Sequence, residues 1–377
     1  MQGTKLFGVA AGLVVLGLGG AIVMARGDDS SAGARTRLYY IAAEETDWDY
    51  APSGIDQISG HAAEGLGMFA MTADVDRLGH VYRKAIFREY TDSTFTTVKE
   101  RPAEWRHLGM LGPLVRATVG DTIRIVFRNK ATHPHTLHPH GVIYNKDSEG
   151  APYVDGTSGK DKADDGVPPG GTHVYVWPVP ERAGPTPHES SSVLWMYHSH
   201  ANEVRDVNAG LIGPMIVTAR GKAKPDGTPT DVDREVVVTF AEIDENVSWY
   251  IEDNIKAHST NPAKYPRNLT FADYPYLANL RESLNGFSFG HLPDITVKQG
   301  ERVRWYVFAT SNFEVHAPHW HGQTVVSHGM RTDMLHLLTM QMVTADMVPD
   351  NPGTWLFHCH VAPHLELGMQ ARFTVTP

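Results

Sequence analysis

Cysteine is nearly absent from this chain, since Cys359 is the only one among 377 residues. A single cysteine cannot form an intrachain disulfide, so the cysteine count carries no information about an oxidising compartment. Positive charge is also in the minority, with 33 Lys and Arg against 43 Asp and Glu and a formal net charge of −10. This balance argues against binding to nucleic acid or to an anionic membrane surface, because both require a basic patch on the protein.

Long apolar runs are confined to the N-terminus. After Lys5 the sequence LFGVAAGLVVLGLGGAIVMA has twenty residues without a charge and ends in small residues. A short basic start followed by such a run is typical of an export signal, and about 20 apolar residues also suffice to span a bilayer. Residues 1–25 are therefore predicted to be an export signal or an N-terminal membrane anchor, and residues 26–35 a flexible tether. The remainder is predicted to be exported, as a periplasmic or extracellular protein.

Helical periodicity is scarce as well. Segments such as TIRIVFRN, THVYVWPV, REVVVTF and RVRWYVF alternate or cluster β-branched and aromatic residues, and Gly, Pro and Asp separate them. These features predict an all-β protein built from sandwiches.

The chain also repeats itself. LVRATVGDTIRIVFRN followed by HPHG parallels ITVKQGERVRWYVF followed by HWHG, and MYHSH followed by GLIGPMIV parallels LFHCH followed by GMQARFTV. Internal repetition of this kind indicates duplicated domains. We predict one domain at 36–220, a linker rich in Pro, Gly and charge at 221–232, and a second domain at 233–377.

Histidines recur in four pairs with i, i+2 spacing, two pairs in each repeat. The pairs are His138/His140, His198/His200, His319/His321 and His358/His360. On a strand this spacing puts both imidazoles on one face, about 7 Å apart. A lone pair of this kind is more often structural or solvent-exposed, but four pairs at matching places favour a metal site. Eight neutral imidazoles suit Cu, Zn, Fe or Ni and are too many for one tetrahedral zinc ion, which indicates a metal cluster.

Cys359 narrows the choice of metal. It lies between two of the paired histidines, so on a strand its side chain points to the opposite face from theirs. Three nearby residues of the second repeat could bind a metal together with Cys359: His316, His364 and Met369. Two imidazoles, one thiolate and one thioether form the ligand set of a blue-copper electron-transfer site. The alternative is a small buried hydrophobic residue, the usual role of a lone cysteine, but it leaves the other three residues unexplained.

The first repeat lacks this ligand set. His135 has the spacing of the first blue-site histidine, but Ser199 replaces the cysteine. The counterparts of the other two ligands are Val204 and Ala209. We therefore predict no blue copper in the first domain and interpret His133 and His135 as loop histidines, because no soft partner remains for copper.

The motifs HPHG, HSH, HAPHWHG and HCHVAPHLELGM, in this order, resemble those of the multicopper oxidases across nearly the whole chain after the N-terminal segment. YYIAAEETDWDYAP, YRKAIFREYTD and ADDGVPPGG are similar to the ceruloplasmin and hephaestin domain pair, whereas the length and the single blue site resemble the two-domain laccases of bacteria. The resemblance implies two cupredoxin-like Greek-key β-sandwich domains.

The resemblance also implies four copper ions per active unit: one type 1, one type 2 and two type 3. By motif, type 1 copper would be held by His316, Cys359, His364 and Met369, type 2 by His138 and His319, and the type 3 pair by His140, His198, His200, His321, His358 and His360. The family takes single electrons from a small reducing substrate at type 1 and reduces dioxygen to water at the other three ions. Such a cluster draws on both domains, and two-domain relatives build it between the subunits of a homotrimer, a closed cyclic assembly.

Reduction of dioxygen to water consumes protons, so a positioned acid near the cluster is expected. The family has an Asp-Gly after the first histidine pair, and Asp155-Gly156 is the match here, although the loop is longer. We therefore predict Asp155 as a proton relay. The alternative is an ordinary solvated turn residue, which Asp-Gly favours by itself.

The identity of the electron donor is where the resemblances diverge. Ceruloplasmin-like iron oxidation relies on carboxylates beside the type 1 histidines, including an Asp directly before the second one, and Pro363 takes that position here. Proline cannot bind Fe(II). We therefore predict a laccase-like oxidation of phenols and aromatic amines, with an exposed imidazole edge of His364 as the point where electrons are received.

A ferroxidase or cuprous oxidase is the first alternative. Glu314 and Glu366 are close in sequence to type 1 ligands but are interpreted as solvated surface acids, and Met340 and Met342 as core residues rather than Cu(I) ligands. A copper nitrite reductase would need its type 1 cysteine where Ser199 stands. A non-catalytic copper-binding protein is a further alternative. An interaction module should have lost cluster ligands, and none of the eight is missing, whereas an exported copper carrier would keep them but show no oxygen turnover.

Overall fold

The structure is a computed structural model that describes residues 34–310 and 315–377. Strands dominate it, as the alternation of apolar residues predicts. The first eight strands are β1 Thr36–Asp49, β2 Val81–Tyr90, β3 Val115–Thr118, β4 Thr122–Asn129, β5 His138–Pro139, β6 Thr172–Pro178, β7 Ser192–His198 and β8 Ile212–Thr218. The next ten are β9 Arg234–Asp244, β10 Leu280–Leu284, β11 Ile295–Lys298, β12 Val303–Thr310, β13 Pro318–Trp320, β14 Val325–Ser327, β15 Met330–Thr332, β16 Met342–Met347, β17 Gly353–Cys359 and β18 Gln370–Thr376.

The strands form four sheets in two equivalent pairs. The orders are β2-β1-β4-β6 and β3-β8-β7-β5 in the first half, and β10-β9-β12-β16-β14-β15 and β11-β18-β17-β13 in the second. Each half repeats the same neighbours, including the parallel pairs β1–β4 and β9–β12. This topology confirms the all-β, cupredoxin-like sandwich prediction. We call residues 36–220 domain 1 and residues 233–377 domain 2; the predicted linker 221–232 falls between β8 and β9, and the boundaries themselves stay a prediction.

Each domain has its own core between its two sheets. In domain 1 the core includes Phe127 and Tyr197, one from each sheet, and in domain 2 it includes Trp305 and Phe357. Strand β4 alternates buried and more exposed positions, as expected for a strand with one face on a core. Strand β12 is buried at all positions, because its second face meets domain 1.

The contact between the domains is apolar and includes a polar network. Leu194 and Met196 of β7 pack with Tyr306 and Phe308 of β12. Beside them the buried Arg304 guanidinium donates from Nη1 to the Ser192 hydroxyl of domain 1 at 2.7 Å. Domain 1 and domain 2 therefore share a buried interface within one chain.

In the described part of the chain, five short helices lie in the connections between strands. They are α1 Gly65–Met71, α2 Glu203–Ala209, α3 Ile251–His258, α4 Tyr274–Leu277 and α5 Ala362–Glu366. Short 3₁₀ helices cover Ala103–Leu108, Lys146–Ser148, Gly159–Lys162, Glu181–Ala183 and Pro262–Lys264. Helix α1 belongs to the β1–β2 connection, and α5 follows β17 and carries His364.

The predicted export signal or anchor at 1–25 and residues 26–33 of the tether lie outside the described residues. Within the part of the chain that is described, no helix is both long enough and apolar enough to cross a membrane.

Candidate metal centres

The paired histidines of domain 2 converge at the end of one sheet. Strands β13 and β17 pair antiparallel with His319 directly opposite His358, so their i, i+2 partners fall on the same face. His321 Nε2 lies 3.0 Å from His358 Nε2, and the ring centroids of His319 and His360 are 5.4 Å apart. The strand register therefore brings all four imidazoles together.

Domain 1 repeats this arrangement. His138 on β5 is directly opposite His198 on β7, and His140 Nε2 lies 3.2 Å from His198 Nε2. The ring centroids of His138 and His200 are 5.2 Å apart. The Nδ1 atom of His138 lies 2.6 Å from the Glu149 carbonyl oxygen, and as donor to that oxygen it leaves Nε2 as the acceptor a metal needs.

Burial favours the neutral form of five of these eight imidazoles. Loss of solvent lowers the pKa of His198 to about 3 and that of His140 to about 4. The same cause lowers the pKa of His138, His321 and His358. Metal ions bind the neutral imidazole, so the donor chemistry of both histidine sets fits a metal at neutral pH.

Among the described residues of one chain, the two sets form different ligand groups. His138, His140 and His198 have ligand atoms within 4.8 Å of one another, and so do His319, His321 and His358. Among the described residues, no group of three or more such ligands combines histidines of both domains. Each set therefore supplies half of the predicted eight-histidine cluster.

The predicted blue-copper ligands form a third group. The Nδ1 atoms of His316 and His364 are 3.2 Å apart, and they lie 3.9 and 3.5 Å from the Sγ atom of Cys359. The Ala317 amide donates to this sulfur at 3.3 Å, which favours the thiolate. Burial lowers the pKa of His316 to about 3 and that of His364 to about 4. Met369 is buried in the same core cluster, and a buried set of two neutral imidazoles, a thiol and a thioether fits copper.

His364 does not present an exposed imidazole edge, so that part of the sequence-based expectation is wrong. The residue is only 2% exposed. It is reached instead through a cavity of about 170 Å³. The cavity is lined by Leu66, Phe69, Glu242, Tyr274, Leu277, Ala278, Leu280, Glu282, Pro363, His364 and Leu367.

Domain 1 has a carboxylate at the place that corresponds to the blue site. Asp206 accepts hydrogen bonds from Ser199 Oγ at 2.7 Å and from the Asn202 amide at 2.9 Å. Its other oxygen lies 3.2 Å from His135 Nδ1 and 2.8 Å from Trp249 Nε1. His135 is thus a buried partner of Asp206 in the β4–β5 loop. Four donors surround the carboxylate, which agrees with the prediction that this place holds no blue copper.

Asp155, the predicted proton relay, is bound by other side chains. Its carboxylate accepts from the Thr157 hydroxyl at 2.7 Å and pairs with Lys162 and Lys146 at 2.9 and 3.1 Å. These contacts, led by that with Thr157, hold the pKa of Asp155 well below its usual range. A carboxyl group that stays ionised is a poor proton donor, so the geometry disfavours the relay role, which stays a prediction.

Two buried acids beside His364 were missed from the sequence. Glu242 on β9 is directly opposite Glu282 on β10, and the residues are 5% and 2% exposed. Ligand atoms of both lie within 4.8 Å of one another and of His364. The one signal in the sequence was a glutamate inside each of two otherwise strand-like stretches, TFAEID and LRESL.

The acids named from the sequence lie elsewhere. Glu366 is exposed on α5, as expected for a solvated surface acid, and Glu314 falls outside the described residues. Met340 and Met342 pack against the apolar contact between the domains, which supports their interpretation as packing residues.

Known proteins resemble this chain in both halves. Two family models, each described as multicopper oxidase, match residues 89–222 and residues 246–377. Human ferroxidase HEPHL1 is 41% identical over 367 residues, covering 96% of this chain and 30% of that protein. Rat hephaestin is 42% identical over 345 residues (90% and 29%), and human ceruloplasmin 38% identical over 347 residues (91% and 32%). The chain thus spans about a third of the length of these relatives.

Solved structures show the same fold. A crystal structure of a multicopper oxidase aligns with a TM-score of 0.57 at 21% identity, covering 90% of this chain and 89% of the other. The blue copper oxidase from Nitrosomonas europaea aligns with a TM-score of 0.55 at 18% identity, covering 90% and 86%. With both halves matched by the family and the ligand sets in place, this chain belongs to the multicopper oxidases, a family that implies copper as the cofactor.

Proposed function

We propose that this protein is a copper-dependent metallo-oxidase that oxidises Fe(II) and reduces dioxygen to water. The proposal replaces phenol oxidation, the preference drawn from the sequence, as the main function. The observation that carries it is the buried Glu242–Glu282 pair beside His364. The name ferroxidase, borne by a relative that is 41% identical, supports the same choice.

The glutamate pair has the chemistry of a cation site. Two carboxylates directly opposite each other on neighbouring strands repel, and burial raises the cost of charging both. A divalent cation between them would offset both effects. Carboxylate oxygens with imidazole are a ligand combination that suits Fe(II). We therefore assign Fe(II), as substrate, to Glu242 and Glu282.

The same arrangement answers the objection that Pro363, which cannot bind Fe(II), excludes iron oxidation. That objection requires the iron-binding carboxylate to precede His364 in the chain. Here the carboxylates come from β9 and β10, and Pro363 only lines the cavity. A proline at this position is therefore compatible with iron oxidation.

A short path for electron transfer leads from this cavity to the histidines of the cluster. Glu282 Oε2 lies 3.9 Å from His364 Nδ1, and His364 Nδ1 lies 3.5 Å from Cys359 Sγ. His358 and His360 are the covalent neighbours of Cys359. Bound copper would supply the one-electron chemistry and the site of dioxygen reduction, while these side chains orient the donor and exclude water.

Between chains, we propose that the cluster assembles from domain 1 of one copy and domain 2 of another, as in a homotrimer. The support is that no ligand group among the described residues combines the two histidine sets, although the predicted cluster needs both. In this assembly the active unit holds four coppers, as the family resemblance implies. We also retain export of the protein, directed by residues 1–25, as part of the proposal.

A one-ring phenol or aromatic amine is the second candidate donor. Most of the residues lining the cavity are apolar, among them Phe69, Leu277 and Leu367. An aromatic ring would lie against such walls with its hydroxyl or amino group toward the glutamates. If the enzyme oxidised only organic donors, Glu242 and Glu282 would be needed only to accept protons from them.

Charge-neutral variants separate the two donors. We expect Glu242→Gln and Glu282→Gln in the copper-loaded protein to lower kcat/KM for Fe(II) at least about tenfold by removing ligand charge. A one-ring methoxyphenol should be affected less, and Glu366→Gln, at an exposed acid close in sequence, is the matched control. Measurement of oxygen uptake with each donor decides. Equal Fe(II) kinetics in all three variants, or no Fe(II) oxidation by the parent protein, would overturn the assignment.

A further inference from the structure

A segment of domain 1 covers the electron-receiving side of domain 2. Residues 51–79, which we call the cap segment, connect β1 to β2 and cross to the other sandwich. The Gln57 amide donates to the Phe289 carbonyl at 2.9 Å, and Arg372 Nη1 donates to the Gln57 carbonyl at 3.2 Å. The buried Arg281 donates to the Ala70 carbonyl at 2.5 Å. Domain 2 therefore anchors the cap segment at several points.

Helix α1 of the cap segment lies directly on the segment that includes helix α5 and carries His364. Gly67 is packed so closely that a Cβ atom there would lie 3.0 Å from Phe289 and 3.1 Å from the Glu366 carbonyl oxygen. Ala70 and Met71 share an apolar cluster with Phe289 and Leu367. Because α1 contacts the residues that directly follow His364 and lines the same cavity, its position controls what reaches that residue.

Two aromatic rings form part of the cavity wall above His364. Phe69 of α1 meets Tyr274 of α4 with ring centroids 5.6 Å apart, and both line the cavity. The Arg77 guanidinium lies 5.1 Å from the centre of the Phe69 ring, which holds that ring in place. A cavity of about 150 Å³ accommodates benzene, so about 170 Å³ admits an ion or one ring but not two linked rings.

We propose that Phe69 and Tyr274 set the size limit for electron donors, so that the cap segment of domain 1, through Phe69, helps to determine the specificity of the site in domain 2. The inference rests on the proposed function in taking Fe(II) as the donor that the small cavity favours. The rings contact the donor space and do not bind the ion, so their removal should leave Fe(II) oxidation in place.

The test compares donors of two sizes with the copper-loaded full chain. Replacing either Phe69 or Tyr274 by Ala should raise kcat/KM for a large dye, in which an azine links two sulfonated aromatic ring systems, at least about tenfold. This is the scale by which pocket contacts discriminate substrates. Oxidation of Fe(II) should change by less than about twofold. Phe271→Ala is the matched control, because this aromatic residue is on the same stretch as Tyr274 but does not line the cavity. Tyr274 is 64% exposed, so its replacement should not prevent folding even if that of Phe69 does.

A second readout does not depend on turnover. In the copper-free protein, Cys359 is buried behind His364, and its thiol should react faster with an aromatic disulfide reagent in Phe69→Ala and Tyr274→Ala than in the parent or Phe271→Ala. Unchanged labelling and an unchanged dye-to-Fe(II) ratio in both variants would overturn the size limit and leave iron oxidation standing. No Fe(II) oxidation by the parent would refute the proposed function, and the dye and labelling results would then judge the size limit alone.

Discussion

Cys359 links two sites by its position on one strand. At the end of β17 its sulfur faces the core of domain 2, while His358 and His360, one residue away on each side, face the other way. The sulfur is fully buried and accepts a hydrogen bond from the Ala317 amide. Residues that are adjacent in the chain therefore serve two separate metal sites, which explains the single cysteine.

His107 offers a residue-scale test of acid sensitivity. It is 2% exposed, and its Nε2 accepts from the Val237 amide of domain 2 at 3.2 Å. Burial, with a smaller effect of Arg234, lowers its pKa to about 4. The unfolded chain binds this proton near pH 6.5, so the contribution is present above pH 6.5 and is lost as the pH falls toward 4.

At pH 5 the protonation of His107 in the unfolded chain should lower the free energy of unfolding by about 2 kcal/mol. Urea unfolding of copper-free parent protein and His107→Gln at pH 7 and pH 5 measures it. The free energy of unfolding should fall further in the parent than in His107→Gln, by about that amount. An identical pH dependence in the two proteins would show that His107 titrates normally.

At the scale of elements, strand register builds the sites. Neither histidine set depends on a long loop, because His138 faces His198 and His319 faces His358 across neighbouring strands. The i, i+2 spacing then adds the second member of each pair. A slip of one residue in either pairing would turn the histidines to the opposite face.

Helix α2 follows the second histidine pair of domain 1 and is capped at its C-terminus by Gly210, which is in the left-handed conformation. Its φ is 113°, and an added Cβ would lie 2.9 Å from the Ala85 carbonyl oxygen. Gly210→Ala should therefore cost about 2–3 kcal/mol, from backbone strain and overpacking together.

Gly221→Ala is the control for this helix end. Gly221 also has a positive φ, 72°, but no atom lies within 4 Å of its Cβ position, so strain alone should cost about 1 kcal/mol. Denaturant unfolding of both variants separates packing from strain. Equal losses would mean that the contact with Ala85 relaxes.

Some of these elements could be predicted from the local sequence pattern, and others could not. The strands and the histidine pairs could be predicted, because a strand repeats every two residues and the domain is duplicated. Glu242 and Glu282 could not, because only the register of β9 with β10 makes them neighbours. Helix α1 was also missed, since seven residues are too few to show a helical period. Its packing on domain 2 is a contact between distant parts of the chain.

At the scale of the whole molecule, the separated histidine sets predict that function requires assembly. A chain with His140→Ala and a chain with His321→Ala should each lose oxygen reduction. If clusters form between chains, co-assembled mixtures should recover about one quarter of parent activity, since one interface in four pairs an intact domain 1 with an intact domain 2.

Expression of the two variants together, followed by measurement of oxygen uptake and copper content, checks this outcome. A mixture of separately assembled, non-exchanging oligomers is the control and should stay inactive. Absence of recovery in co-assembled protein of normal size would mean that each cluster belongs to one chain.

Asp206 makes the difference between the two domains hard to reverse. Its carboxylate lies where the ligands of a blue-copper site would meet. It forms hydrogen bonds with Ser199, His135 and Trp249, of which Trp249 belongs to domain 2. Ser199→Cys alone would set a sulfur beside a buried anion, and loss of Asp206 alone would leave its donors without acceptors, a cost of about 1–3 kcal/mol for each. Neither single change creates a site that copper could occupy. A blue site would also require a histidine at Val204 and a methionine at Ala209. After duplication, the copy without a blue copper is therefore separated from its sister by at least four simultaneous mutations, so drift alone does not return it.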